Sequence, residues 1–321
     1  MNSFGGKLAV VTGGGSGMGR ELVRHLAAEG CSVATCDLDG AGVARSASDA
    51  SAGPGGARVT SHVCDVADEG QVLRFRDEVI QQHAVDHVDL VFNNAGVGGG
   101  GSFIADSRAE WERTFAIDWW GVYYCTRAFL PLLINSTEGV LVNTSSVNGF
   151  WATLGPGVPH TAYSTAKFAV KGFSEALIED LRVHAPHVRV AVVMPGHVGT
   201  DIVTNSWRVH GRDPAALTEA EVALARADLV RRGLPVAEAP DDAIRHVLAT
   251  AGTLFRDRAP LDAASAAHVI LDGVRAGRWR ILVGDDAVKL DEHVRAHPEA
   301  AYDGHVALTD TIFGTPGEHK P

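Results

Sequence analysis

Tyr163-Ser164-Thr165-Ala166-Lys167 sets a phenol four residues ahead of an ammonium, which in a helix places both on one face, a turn apart. A free tyrosine has a pKa of about 10, and a close cation favours its phenolate. A tyrosine held in this way can exchange a proton with an alcohol or a carbonyl near neutral pH. A bare Tyr-x-x-x-Lys also recurs by chance, and is then an ordinary solvated pair. Here Ser145-Ser146 ends an upstream β-branched run and can bring a hydroxyl to the same edge.

A second candidate site lies near the amino terminus. Thr12-Gly13-Gly14-Gly15-Ser16-Gly17-Met18-Gly19 directly follows an apolar run and opens a helical one. Glycine permits positive φ and lets backbone approach a pyrophosphate, which then faces the N–H groups and positive end of the helix. A plain tight turn is the bland alternative. Against it stands Asp37, about twenty positions beyond Gly17, at the end of the next strand-like run. Asp37 suits hydrogen bonds from ribose hydroxyls and repels a 2′-phosphate, while Ser16 and Leu38 offer no cation for that phosphate. NAD is therefore favoured over NADP, with a capping or surface aspartate as the other reading of Asp37.

These residues need a sheet edge to converge on. The first two hundred residues alternate short β-branched runs with longer amphipathic stretches, the pattern of a Rossmann-like α/β fold: a doubly wound parallel sheet covered by helices on both faces. Strands are predicted at Leu8–Thr12, Ser32–Cys36, Arg58–Cys64, Leu90–Phe92, Val140–Asn143, Val188–Val193 and Trp279–Val283. Helices are predicted over Arg20–Glu29, Ala109–Leu133, Tyr163–Val183, Leu261–Gly277 and Asp286–Ala296. Ser48–Gly56 and Gly96–Ser102 read as short connections, and no internal repeat is visible. After Pro195 the alternation lapses until Leu261, apart from a capping box at Thr218-Glu219-Ala220-Glu221 that opens a helical run to Arg232. That interval, roughly 201–260, follows the carboxyl end of a central strand, where open α/β sheets put their ligands, and is read as a substrate lid. The expectation is one domain over 1–297 and a tail over 298–321, flexible at Thr315–Pro321.

Along at least Leu8 to Thr200 the chain resembles the single-domain short-chain dehydrogenase/reductases. The resemblance rests on Thr12-Gly13-x-x-x-Gly17-x-Gly19, Asp65, Asn93-Asn94-Ala95-Gly96, Ser146, Tyr163-x-x-x-Lys167 and Pro195-Gly196-x-Val198-x-Thr200. Weaker similarity continues through Trp279–Gly284 and the Asp286-Ala287 segment. The resemblance implies that Tyr163 is the catalytic acid/base and that Lys167 lowers its pKa while binding the nicotinamide ribose. Ser146, the second of the serine pair, would hydrogen-bond the substrate oxygen. Gly13, Ser16, Gly17, Met18 and Gly19 would cradle the pyrophosphate. Asp65 and Val66 would contact adenine, Asn93, Ala95 and Gly96 would line the cofactor cleft, and Pro195, Gly196, Val198 and Thr200 would hold the nicotinamide end. Hydride transfer then interconverts an alcohol and a ketone. A homodimer or homotetramer built on the two long helices around the fifth strand is also implied.

One position departs from the family pattern. Phe115-Ala116-Ile117-Asp118 carries an aspartate where the family usually has an asparagine that anchors a water serving the lysine. An aspartate keeps the acceptor oxygens, loses the amide donor and adds a charge. Either Asp118 still supports the relay by pairing with Lys167, or the relay is damaged and the protein is slow, or a non-catalytic NAD-binding sensor. An NADPH-dependent ketoreductase is the alternative within enzymes, opposed by Asp37. Phe150, Trp151, Leu154 and His160 in the Val147–Thr161 loop, with Gly98–Gly101 and Trp207, suggest a roomy apolar pocket for a bulky alcohol or ketone; scattered surface aromatics are the other reading. His197 either touches substrate or is solvated as loop histidines ordinarily are.

Composition bounds the rest. The 321 residues include 28 Lys+Arg against 39 Asp+Glu, a formal charge of −11, which argues against nucleic acid as partner. With 45% hydrophobic and 21% charged residues the chain can bury a sizeable core. No apolar run is long enough to span a membrane and no signal-peptide core follows Met1, so an unexported, cytoplasmic protein is expected. Cys31, Cys36, Cys64 and Cys125 lack metal or redox spacing and are expected as free thiols. Among 15 histidines, His184/His187 and His293/His297 have no evident third ligand, so no metal is expected.

Overall fold

The computed structural model describes residues 1–303, apart from positions 54, 156 and 232. The end of the run predicted to reach Arg232, and most of the tail with Thr315–Pro321, therefore lie outside the described residues.

The chain begins with β1 (Leu8–Thr12), α1 (Gly17–Ala28), β2 (Ser32–Asp37), α2 (Gly40–Ser51), β3 (Val59–Val63) and α3 (Glu69–His83). It continues through β4 (Leu90–Asn93), α4 (Arg108–Phe115), α5 (Gly121–Ile134), β5 (Gly139–Thr144), α6 (Thr161–His184) and β6 (Val188–Pro195). Seven strands form one parallel sheet in the order β3-β2-β1-β4-β5-β6 and, last, β9 (Arg280–Val283). The order reverses between β1 and β4, where Val11 pairs with Phe92, and this opens a crevice at the carboxyl edge.

Strand periodicity divides the core. Ala9, Val11, Val33, Phe92 and Val142 pack into one cluster with Leu22, Leu26, Ile270 and Leu271. Their neighbours Leu8, Val10, Ala34, Val91 and Leu141 join the other with Val72, Phe75, Phe129 and Leu181. Alternate side chains leave opposite faces of a strand, so both faces need helices, and every residue of β1 is buried.

The sequence boundaries differ from these in instructive places. α1 starts at Gly17, three residues before the predicted Arg20, because the glycine turn itself winds into the first helical turn. Ser48–Ser51, read as connection, form the last turn of α2. The single helix predicted over Ala109–Leu133 is interrupted by a π-helical turn at Ala116–Trp120, which carries Asp118. Such turns insert a residue into the i→i+4 ladder and are frequent at functional sites.

The interval read as a lid is largely helical. It contains α7 (Ile202–Val209), α8 (Glu219–Arg231) and α9 (Asp241–Asp257), after the two-residue β7 (Val198–Gly199). The predicted capping box at Thr218 and Glu221 forms, with Glu221 Oε2 accepting from the Thr218 amide at 2.8 Å. The helix predicted from Leu261 begins two residues later, because Leu261–Asp262 form β8 against β7 before α10 (Ala263–Arg275). A last helix, α11 (Asp285–Ala296), follows β9.

Candidate active site

The glycine turn is built for close approach. Gly13 and Gly17 take positive φ, +71° and +52°. A Cβ at Gly14 would sit 1.9 Å from Thr35 Oγ1, and one at Gly19 2.0 Å from the Gly13 carbonyl oxygen. The turn thus packs tightly against Thr35 and its own backbone, at the start of α1, where a helix's first N–H groups have no intrahelical acceptor. Thr12 fastens it to the neighbouring strand: its Oγ1 accepts from the amides of Asn94 and Ala95, each at 3.0 Å. Asp37 Oδ2 accepts from the Gly15 amide at 2.9 Å, so the carboxylate stands directly beside the cradle. Ser16 Oγ accepts from Asn205 Nδ2 on α7 at 3.1 Å.

A cavity of about 390 Å³ opens at the crevice, and Met18, Gly96, Ser146, Tyr163, Lys167 and Thr200 all line it, as do Pro195, Gly196 and Val198. Five sequence-predicted segments therefore converge. Asn93 is a correction: its side chain turns into the protein interior, donating to Asn143 Oδ1 at 2.8 Å and Thr126 Oγ1 at 3.0 Å. The asparagine that lines the cavity is Asn94, whose Nδ2 donates to the Thr12 carbonyl at 3.0 Å. Asp65 and Val66 follow the end of β3 and are not among the cavity walls; Asp65 Oδ2 pairs with Arg113 at 2.7 Å, and Val66 is buried against Gly121.

The two serines take different tasks. Ser145 Oγ donates to the Lys167 carbonyl at 2.7 Å, tying β5 to the first turns of α6. Ser146 Oγ accepts from the Asn148 amide at 3.1 Å and makes a side-chain hydrogen bond with Tyr163. Lys167 Nζ lies 5.3 Å from the Tyr163 ring centre, donates to the Thr144 carbonyl at 3.1 Å, and pairs with Asp118 Oδ1 at 3.0 Å. Asp118 Oδ1 also accepts from the Val97 amide at 3.3 Å, while its Oδ2 is buried with no partner among the described residues.

Electrostatics correct one expectation. Desolvation raises the Tyr163 pKa, and the Asp118 charge raises it further; the Lys167 ammonium and the Ser146 hydrogen bond pull it down but do not win. The lysine was expected to leave a depressed phenol. Lys167 does pull the pKa down, but burial outweighs it and the Asp118 charge adds to the rise. Burial pushes the Asp118 carboxyl up against the pull of Lys167. For Lys167 burial works against the charge, yet Asp118 and Tyr163 hold its pKa above the ordinary lysine value.

His197 is 5% exposed rather than solvated: its Nε2 sits 2.7 Å from the Phe255 carbonyl oxygen, so that nitrogen donates, and Nδ1 is buried without a partner among the described residues. Burial lowers its pKa, with the Phe255 hydrogen bond and the Asp286 charge opposing. Asp286 Oδ2 accepts from the His197 amide at 2.6 Å and holds the Pro195–Thr200 segment in place. Leu154, His160 and Trp207 line the cavity as expected, but Phe150 and Trp151 do not. Trp151 is buried with Leu290 and Ala301, its Nε1 donating to the Ala301 carbonyl at 2.8 Å.

Sequence reasoning missed Asn94, Asp286 and the cluster Glu110, Ser206, His210 and Arg212 on the cavity wall. Asn94 was visible within the Asn-Asn-Ala-Gly run, but the cluster joins α4 to α7 and the residues just after it and has no local signature. Among the described residues no group of three or more His, Cys, Asp or Glu is arranged to hold a metal, and no helix is long and apolar enough to cross a membrane. The four cysteines are free and buried.

Comparison with known proteins agrees with this geometry. Residues 7–210 match the short chain dehydrogenase family. The Mycobacterium tuberculosis protein named oxidoreductase SadH is 34% identical over 292 residues, covering 91% of each chain. The meso-2,3-butanediol dehydrogenase of Serratia marcescens is 34% identical over 211 residues, 65% of this chain and 78% of that one. Among solved structures, a short-chain dehydrogenase/reductase from Burkholderia phymatum in complex with NAD has a TM-score of 0.75 at 27% identity, covering 96% of this chain and 99% of the other. A metagenomic short-chain oxidoreductase in complex with NADP has a TM-score of 0.53 at 31% identity, over 60% and 83%. With a parallel sheet, a glycine cradle and a Ser–Tyr–Lys constellation at one crevice, this chain belongs to the short-chain dehydrogenase/reductases.

Proposed function

We propose that the protein is an NAD(H)-dependent oxidoreductase that interconverts a secondary alcohol and a ketone, with an apolar or bulky substrate. The observation that carries this reading is the meeting of Ser146, Tyr163 and Lys167 in one cavity beside the glycine cradle.

The residues present fit a dinucleotide. A Cβ at Gly14 or Gly19 would collide with Thr35 Oγ1 or the Gly13 carbonyl, so the turn has to be bare backbone, and the Asp37 carboxylate stands beside it where ribose hydroxyls could donate to it. Gly13, Ser16, Gly17, Met18 and Gly19 would hold the pyrophosphate, Asp65 and Val66 the adenine, and Asn94, Ala95 and Gly96 the cleft wall. Pro195, Gly196, Val198 and Thr200 would hold the nicotinamide end, with Lys167 at its ribose. When bound, the nicotinamide supplies the hydride acceptor in oxidation or the donor in reduction.

In the oxidative direction Tyr163 takes the proton of the substrate hydroxyl, and in reduction it returns one to the ketone oxygen. Ser146, already hydrogen-bonded to Tyr163, orients the substrate oxygen. Lys167 stabilises the phenolate, and Asp118 keeps that ammonium positioned and charged. The segment 201–260 acts as the lid: α7 supplies Ile202, Val203 and Trp207 to the cavity, and Phe255 of α9 closes its side. Apolar walls of this kind suit an apolar substrate. The exposed aromatic faces of the π turn and α6 support a homodimer or homotetramer.

The NADP complex among the similar structures favours an NADPH-dependent ketoreductase as second reading, which Asp37 opposes. The test is reduced-nucleotide absorbance with NAD and NADP across secondary alcohols from small aliphatic to steroid and aryl. Turnover with NAD, lost in Tyr163→Phe, is expected; turnover only with NADP, or undiminished turnover in the variant, overturns the reading.

A further inference from the structure

The cavity wall carries charges that the alcohol chemistry does not use. Apart from Lys167, which is matched by Asp118 at the reacting end, the side chains of full charge on the cavity wall are Glu110 and Arg212, and they form an ion pair with each other.

Local structure aims both of them there. Glu110 occupies the third position of α4, whose N-cap Ser107 accepts from the Glu110 amide at 3.1 Å. In a capping box a glutamate at that position would reach back to the amide of the cap residue. Instead Oε1 accepts from the Gly100 amide at 3.2 Å, and Oε2 meets Arg212. Arg212 in turn is placed by the end of α7. Gly211 takes φ +67°, its amide donates to the Arg208 carbonyl at 3.0 Å, and the Arg212 amide donates to the Trp207 carbonyl at 2.8 Å. That left-handed glycine turn ends the helix and throws the arginine back over the cavity. Two further bonds hold the same seam: the Gly98 amide donates to Ser206 Oγ at 2.7 Å, and His210 Nε2 lies 3.0 Å from the Gly98 carbonyl oxygen.

The Glu110 side chain is only 11% exposed, whereas Arg212 is 42% exposed. A carboxylate so far removed from water is costly unless paired, and Arg212 is the cation set against it, as an ion pair without an aligned hydrogen bond to Oε2. The nearby Glu221 also feels Arg212, but it is engaged by Thr218 within the capping box.

We propose that the Glu110–Arg212 pair determines the charge specificity of the substrate site: it admits neutral, largely apolar secondary alcohols and ketones and turns away those whose far end carries a carboxylate. A substrate carboxylate would have to displace Glu110 from the guanidinium or lie beside it, and like charges brought together at short range repel. The pair thus spends the one cation that would otherwise recruit hydroxy or oxo acids. This rests on the alcohol/ketone reading of the same site.

The test uses matched probes, 2-octanone and 7-oxooctanoate, binding to the full-length enzyme saturated with NAD by calorimetry, a combination that cannot turn over. Wild type is expected to bind the neutral ketone at least tenfold more tightly. Glu110→Gln keeps an oxygen for Gly100 and frees Arg212, so the acid is expected to gain at least tenfold relative to the ketone. Arg212→Gln leaves the carboxylate alone and is expected to lower acid binding further, which a merely structural pair would not do in opposite directions. Should Glu110→Gln fail to fold by thermal melt, the Arg212→Gln ratio still decides. A ketone-to-acid ratio unchanged within twofold across the variants, tighter acid binding in wild type, or binding of neither probe overturns the proposal. Because the measurement is of binding, turnover of any alcohol that is lost in Tyr163→Phe leaves the functional reading standing whatever the ratios show.

Discussion

Asp118 Oδ1 and Lys167 Nζ face each other at 3.0 Å across the crevice, with 0% and 3% of their side chains exposed. The pairing follows from a backbone irregularity: the π turn at Ala116–Trp120 carries Asp118, and the residue reaches both the lysine and the Val97 amide. An aspartate in this place raises the Tyr163 pKa, opposing the lysine that lowers it.

Asp118→Asn therefore tests the pair by its pH profile. The amide keeps an acceptor for Lys167 and loses the charge, so the Tyr163 pKa falls. Alcohol oxidation needs the phenolate, and its ascending pH limb is expected to move to lower pH, read from kcat/KM against pH. A limb that stays put, or moves to higher pH, shows that the aspartate does not act through Tyr163. Asp118→Ala is expected to cost about 3–5 kcal/mol by leaving a buried ammonium unpaired, read by denaturant unfolding. Lys167 has a folded pKa raised above its ordinary 10.5, so its contribution is full below that value and is lost only as pH rises through the folded pKa.

Asp37 holds the Gly15 amide with one oxygen and the Asp39 amide, at 3.0 Å, with the other. Asp37→Asn keeps an acceptor and removes the charge that repels a 2′-phosphate. The ratio of NADPH to NADH dissociation constants, by fluorescence titration, is expected to fall at least tenfold. An unchanged ratio would remove Asp37 from cofactor choice.

Gly14 leaves no room for a side chain, since its Cβ would stand 1.9 Å from Thr35 Oγ1, itself bonded to the Val11 carbonyl at 2.9 Å. Gly14→Ala is expected to destabilise by about 1–3 kcal/mol through overpacking. Adding Thr35→Ala should restore part of the loss in thermal melts. A single variant as stable as wild type would mean the β1–β2 seam gives more easily than its packing suggests.

Trp120 on the π turn remains 41% exposed, in an aromatic cluster with Tyr123, Tyr124 and Phe173, and Phe168 on α6 is 42% exposed. Exposed aromatic area of this kind is typical of contacts between subunits. Light scattering is expected to give a dimer or tetramer for wild type and a smaller species for Trp120→Glu. A monomeric wild type would refute self-association through this face.

Much of the site was legible in the sequence because its signals are local. Strand alternation located β1 to β6, the glycine turn announced its own backbone, and Tyr163 and Lys167 share a helix face by spacing alone. The α1 start and the π turn were not legible, since hydrophobic periodicity blurs over one inserted residue. What only the tertiary structure decided is which side chains meet across elements. It turned Asn93 inward and Asn94 outward, because successive residues at a strand end face opposite ways. It buried Trp151 beneath Ala301 rather than in the cavity, matched Asp118 to Lys167 so that burial prevails at Tyr163, and brought Arg212 to Glu110, 102 positions apart in the chain. Residue type and spacing fix what a segment can form on its own; desolvation and long-range pairing exist only once the sheet has brought distant segments to one edge.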